Sequence, residues 1–286
     1  MAATSTIAAR GAGHAVLPAS AGRASFAGAV RSEFTKIRSV RSTYWALLAL
    51  VVLCVGIGAL GSYGHLHDFS QMPAGGKVYQ RAQFIAQAPM YSLFGVILGQ
   101  LVMAVLGALT ITSEYSTGMI RTSLSVLPRR GTVLAAKAVV FGVIALAVGL
   151  ISSFASYFLG QAILSGQHIN STLGQPGVLR AVIGGGLFLA VCGLLSFGLG
   201  ALIRHTAGAI SASFGLLFVL VILAGFLPTS WAVHADKWVP TNAGGAIWER
   251  VTGVHMFSPW TGFAVFCGYA ALAVAAGLYR FRHRDA

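Results

Sequence analysis

Six stretches of this chain are each apolar and nearly free of charge for about twenty residues or more, the length that crosses the hydrocarbon of a bilayer. They cover residues 43–63, 91–111, 132–160, 178–203, 207–227 and 259–279. A backbone in lipid must satisfy its own polar groups, so each stretch is read as a helix and the chain as an all-α polytopic membrane protein. Its 56% hydrophobic and 9% charged residues, with a mean hydropathy of +0.79, exclude a soluble domain with an ordinary polar surface. The third stretch exceeds the length needed to span, which predicts tilt or a projecting end. Thirty-six glycines suit helices that pack closely in lipid.

Orientation follows from the basic residues. Fourteen of the nineteen lie on one side of the six spans, among them Arg31, Lys36, Arg38 and Arg41 before the first, Arg121, Arg129, Arg130 and Lys137 after the second, and Arg280, Arg282 and Arg284 at the end. The other side holds Lys77, Arg81, Arg180, Lys237 and Arg250. The positive-inside rule puts the richer side, with both termini, in the cytoplasm of a cell-membrane protein. The net charge of +13 is divided among short loops rather than gathered on one soluble face, so anionic lipid headgroups, not nucleic acid, are the expected partners.

Residues 1–24, rich in Ala, Gly and Ser, read as a disordered cytoplasmic tail. From 25 to 42, Phe26, Val30, Phe34 and Ile37 recur at helical spacing against a basic opposite side, which predicts an amphipathic helix in the interface. The six-span domain then runs from 43 to 280, before a short tail, 281–286. Between the first two spans lies a polar stretch read as an outer loop; its His65, His67 and Asp68 lack a third ligand at metal-binding spacing, so no metal is expected. All three cysteines fall inside spans, without a disulfide framework.

The loop at 113–131 is the longest charged interruption between two apolar runs, and reads as a docking surface. Glu114 lies at its start, Gly118 can end the preceding helix, Met119 to Val126 can form about two helical turns, and Pro128 stops them. On the far side, residues 228–258 are too polar to span but carry Trp231, Trp238 and Trp248, which predicts short helices dipping into the outer interface. Within the spans, Gly95 and Gly99 form a GxxxG pair, and Gln100 needs a partner or a wet cavity. Gln100, Ser152 and Ser156 are the candidate pathway residues, with back-bonding to helix carbonyls as the alternative use of the serines. No ionisable residue sits in mid-membrane, which argues against an ion-coupled carrier. Phosphate-loop, HExxH and GxSxG motifs are missing, and none of the six acids is adjacent to another, so the chain is not expected to be an enzyme.

The pattern at Glu114, Gly118 and Arg121, followed by Pro128, Arg129 and Lys137, resembles the loop after the second span in the type-2 permease family of ABC exporters. KWVPTNAGGAI at 237–247, the basic lead-in and the terminal RHRDA are similar to actinobacterial members. The resemblance implies a permease that dimerises with the same or a related chain and docks on a separate cytosolic ATPase, which would carry the ATP and magnesium. It implies that residues 119–126 form the coupling helix, with Glu114, Gly118, Met119, Arg121, Leu124 and Arg129 as contacts to that ATPase. The amphipathic segment at 25–42 would be an elbow helix moving with it. The expected cargo is amphiphilic: a drug, a lipid or a peptide. A reading from a different class is a membrane scaffold or assembly subunit that moves no solute.

Overall fold

A computed structural model describes residues 26–39, 41–116, 130–249 and 256–283. Every regular element among them is helical, and six helical stretches are long and apolar enough to span. The chain is an all-α polytopic membrane protein. The segment read as a coupling helix, 119–126, lies outside the described residues, as do Gly118 and Arg129 and the tail at 1–24.

Helix α1 (Phe26–Ser39) precedes α2 (Arg41–Gln71), α3 (Ala74–Ser92) and α4 (Gly95–Ser116). Next come α5 (Arg130–Leu164) and α6 (Val178–Ile203). The fifth span comprises α7 (Thr206–Phe214), a wide π turn (Gly215–Val219) and α8 (Leu220–Gly225). The short α9 (Thr229–Ala235) and α10 (Pro240–Gly245) lead to α11 (Pro259–His283). The end of the bundle that carries α1 is its inner end, and the opposite end is its outer end.

Helix α6 is the hub, packed against α4, α5 and α11, and its glycines explain why. A Cβ at Gly107 would overlap the carbonyl oxygen of Gly193, and one at Gly186 would press on the backbone of Leu150. Small residues permit that approach, and packing is the main source of helix association in lipid. The GxxxG pair works in the same way, with Gly95 against the Cys54 backbone and Gly99 against its sulfur.

The stretch between the first two spans differs from the expected loop. It is a helical hairpin, with α2 continuing to Gln71 and α3 starting at Ala74. Helix α3 is amphipathic, burying Phe84 and Ala88 among polar residues, so a hydropathy criterion passes over it. His65 is accordingly buried on α2 rather than exposed on a turn, stacked between the rings of Phe84 and Tyr91 at 4.5 and 4.0 Å, with Nε2 3.0 Å from the Phe84 carbonyl.

A charged clamp at the inner end

Helix α1 lies along α5, with Ala29 and Glu33 turned toward the bundle. Phe26 and Phe34 are about half exposed and Val30 and Ile37 partly buried, so the apolar side of α1 is available to lipid while its one acid points at protein. Glu33 is 4% exposed, too buried to remain charged without partners. It has two: Lys137 Nζ donates to Oε2 at 2.6 Å and Lys36 Nζ to Oε1 at 2.8 Å. Lys137 also donates to Glu114 Oε1 at 2.8 Å, and Lys36 lies 3.6 Å from the same oxygen.

Two carboxylates and two ammoniums thus form one neutral cluster joining α1, the last turns of α4 and the early turns of α5. Burial alone would raise the Glu33 pKa, but the Lys137 ammonium and the hydrogen bonds from both lysines outweigh it and hold the carboxyl below its usual range. Lys36 moves the other way: burial would lower its pKa, yet its bond to Glu33 and the charge of Glu114 raise it. Both shifts favour the charged forms.

This placement makes the cluster the base of the charged loop. Glu114 stands just before the segment 117–129 and Lys137 on the helix that follows it, so their bond ties together the two helices that carry the loop. Sequence reasoning counted Lys137 among the loop charges; it lies two turns inside α5 and is 4% exposed. Glu33 was missed altogether. The available signal was an acid in the middle of a basic helix, in a chain with only six acids.

The neighbouring inner ends are tied through backbone. Arg204 ends α6 in a left-handed conformation and donates to the Arg280 carbonyl at 3.1 Å, while Arg280 donates to the Leu202 carbonyl at 2.6 Å. Each guanidinium therefore satisfies a carbonyl that a helix end leaves without an intrahelical donor. Arg204 also sits 5.4 Å from the centre of the Tyr115 ring on α4.

The candidate pathway residues do not gather at one place through hydrogen bonds. Gln100 is 2% exposed and its Oε1 has no partner among the described residues. Ser152 donates back to the Val148 carbonyl at 2.8 Å, which is the ordinary use of a helical serine. Ser156 instead reaches from α5 to the carbonyls of Ser92 on α3 at 2.6 Å and Cys54 on α2 at 3.0 Å. The Ser92 carbonyl is open because the chain breaks between α3 and α4, where the Val96 amide turns to Leu93. Gln161 extends this outer network, donating to Ser92 Oγ at 2.9 Å and accepting from the Ser171 amide at 2.6 Å.

The outer segment enters the bundle more deeply than an interfacial helix would. Pro240 starts α10, Gly244 abuts the rings of Phe188 and Phe266, and Thr241 donates to the Leu217 carbonyl in the π turn at 2.6 Å. Arg180 closes the other end, donating to the carbonyls of Ala246, Ile247 and Glu249 at 3.1, 2.8 and 2.9 Å. Trp248 is buried, whereas Trp231 and Trp238 remain largely exposed.

Among known proteins, residues 29–286 match the family model described as ABC-2 family transporter protein. No curated protein matches the chain.

Proposed function

Because the chain belongs to the ABC-2 family of transporter proteins, whose members are transmembrane components and not themselves catalytic, we propose that it is the permease subunit of an ATP-driven exporter. In this reading it pairs with a second permease chain, the same or related, and docks on a separate cytosolic ATPase that holds ATP and magnesium. The inner end faces the cytoplasm, in keeping with the excess of Lys and Arg there. Residues 119–126 are the coupling helix, with Gly118, Met119, Arg121, Leu124 and Arg129 at the docking face. The cargo is amphiphilic and leaves the cell.

The observation that supports this most is the ion cluster of Glu33, Lys36, Glu114 and Lys137. A docking loop transmits force only if its base is fixed to something that moves, and here the two helices that carry it are fixed to each other and to α1. Glu114 contributes in this scheme from within the membrane subunit: it holds the loop's base, while Arg121 reaches the ATPase. Closing of the ATPase pair then shifts the loop, α1 and the inner ends of α4 and α5 together.

The scaffold reading draws on a separate observation, the commitment of Ser152 and Ser156 to backbone carbonyls rather than to an open route. One experiment separates the two. The tagged chain is purified from its own host in mild detergent and probed for an ATPase subunit, alongside Arg121→Ala and Glu114→Gln. Co-purification that Arg121→Ala reduces, with an unchanged unfolding midpoint, supports docking at the loop. No ATPase in any of several detergents favours the scaffold.

A further inference from the structure

A groove of 290 Å³ opens at the inner end between α1, the start of α2 and α5. Its walls are Phe34, Ile37, Leu47 and Ile144, with Tyr44, Thr43 and Arg38 at its polar side. We propose that this groove is a binding site for one anionic phospholipid, with an acyl chain against the apolar walls and the phosphate on Arg38.

The lining chemistry is divided as such a lipid is divided. A methylene takes up nearly the volume of a water, ~30 Å³, so the groove accepts about ten of them, or over half of a common acyl chain. The site lies where α1 meets the first span, beside Tyr44 and the 71% exposed Trp45, aromatic residues of the kind that sit at headgroup level. Charge selects the headgroup. Glu33, the one acid on α1, is turned into the protein and neutralised by Lys36 and Lys137. Arg38 is exposed and takes no part in that cluster, and Arg41 is exposed three residues further on. The groove's rim is therefore cationic without a competing carboxylate from α1. A phosphate there would have a guanidinium able to bind two of its oxygens, with the Thr43 hydroxyl on the same rim as a further donor.

This site depends on the chain's residence in a membrane and not on what the protein transports. Its consequence is mechanical, since a lipid wedged between α1, α2 and α5 would be displaced or compressed whenever α1 moves.

The test reconstitutes the full chain in phosphatidylcholine discs containing a minor share of phosphatidylglycerol, then counts retained lipids by native mass spectrometry. Wild type is expected to keep one phosphatidylglycerol in preference to phosphatidylcholine. Arg38→Ala is expected to weaken retention about tenfold or more, the loss of a charge-assisted hydrogen bond to the phosphate. Ile144→Trp, which fills the groove without changing charge, is expected to abolish retention, while Arg31→Ala, an equal charge loss two turns away on α1, leaves it intact. Equal losses from Arg31→Ala and Arg38→Ala, with none from Ile144→Trp, would overturn the site in favour of diffuse surface attraction. So would a groove-filling variant that keeps the lipid but changes the oligomeric state, because a second copy of the chain would then be the occupant.

Discussion

At the inner end, α1, α4 and α5 meet through carboxylates and ammoniums carried on long side chains, whereas at the outer end α2, α3 and α5 meet through serine hydroxyls and one amide set against backbone. The two arrangements respond differently to displacement. Attraction between charges falls off slowly with distance, so Lys137 can follow Glu33 through a shift of the order of an ångström. A hydroxyl bonded to a carbonyl loses most of its contact over the same shift. The inner end is thus tied yet able to move, and the outer end is fixed. In the proposed transport cycle force enters at the inner end, and the fixed outer end supplies the fulcrum.

Lys137→Ala should have the largest effect, because it strips the nearer cation from two buried carboxylates at once. Breaking a buried pair from one side costs about 3–5 kcal/mol, to be read as a lower unfolding midpoint in detergent and faster hydrogen exchange throughout α1. Lys137→Arg should restore most of the loss. An unchanged midpoint and a protected α1 in the Ala variant would mean that apolar packing, not charge, joins α1 to the bundle.

Arg180→Met should come next, and its effect should stay at the outer end. It removes charged donors from three carbonyls that follow α10, for a cost of about 1.5–3 kcal/mol. Exchange should rise across residues 240–249 while α1 keeps its wild-type protection. Loosening of α1 in this variant would show that the two ends are not separate. Ser156→Ala should cost less, about 1–2 kcal/mol, since the Ser92 carbonyl alone is left without a partner, the Cys54 carbonyl having its own helix. Its measurable sign is a weaker junction between α3 and α4, seen as exchange at Val96 and Ile97.

Much of this fold was legible because the length of an apolar run is a direct physical requirement of crossing a bilayer. The hairpin of α2 and α3 was not, since His65, Phe69 and Phe84 pack inside a stretch whose average is polar. For the candidate site the sequence singled out Glu114, a rare acid beside a charged loop, but gave it no partners. Its bonds run to Lys137, 23 residues on, and through it to Glu33, 104 residues before that lysine. No helical or strand period connects such positions; only the packing of α1 on α5 does. Arg180 was hidden in the same way, one more basic residue on the outer side until the carbonyls that follow α10 were seen to converge on it.

Acid should give the smallest effect, and one confined to the inner end. The Glu33 carboxyl titrates below its ordinary value of 4.5, so its contribution is fully present above that pH and is lost as pH falls through the lower folded value. Lys36, raised above 10.5, keeps its contribution until pH rises past that point, so the clamp should be level across the neutral range. Protonating Glu33 removes the one carboxylate of α1 from both lysines, while the apolar packing of the spans holds no part of this cluster, so α1 should loosen without unfolding the spans. A spin-label pair across α1 and α5 should therefore widen only in acid, while a pair across α3 and α5 stays constant. Glu33→Gln should show the wider inner distance already at neutral pH and lose its acid dependence. Widening of both pairs together would show that the outer hydroxyl network shares the same titration, and would remove the distinction between the two ends.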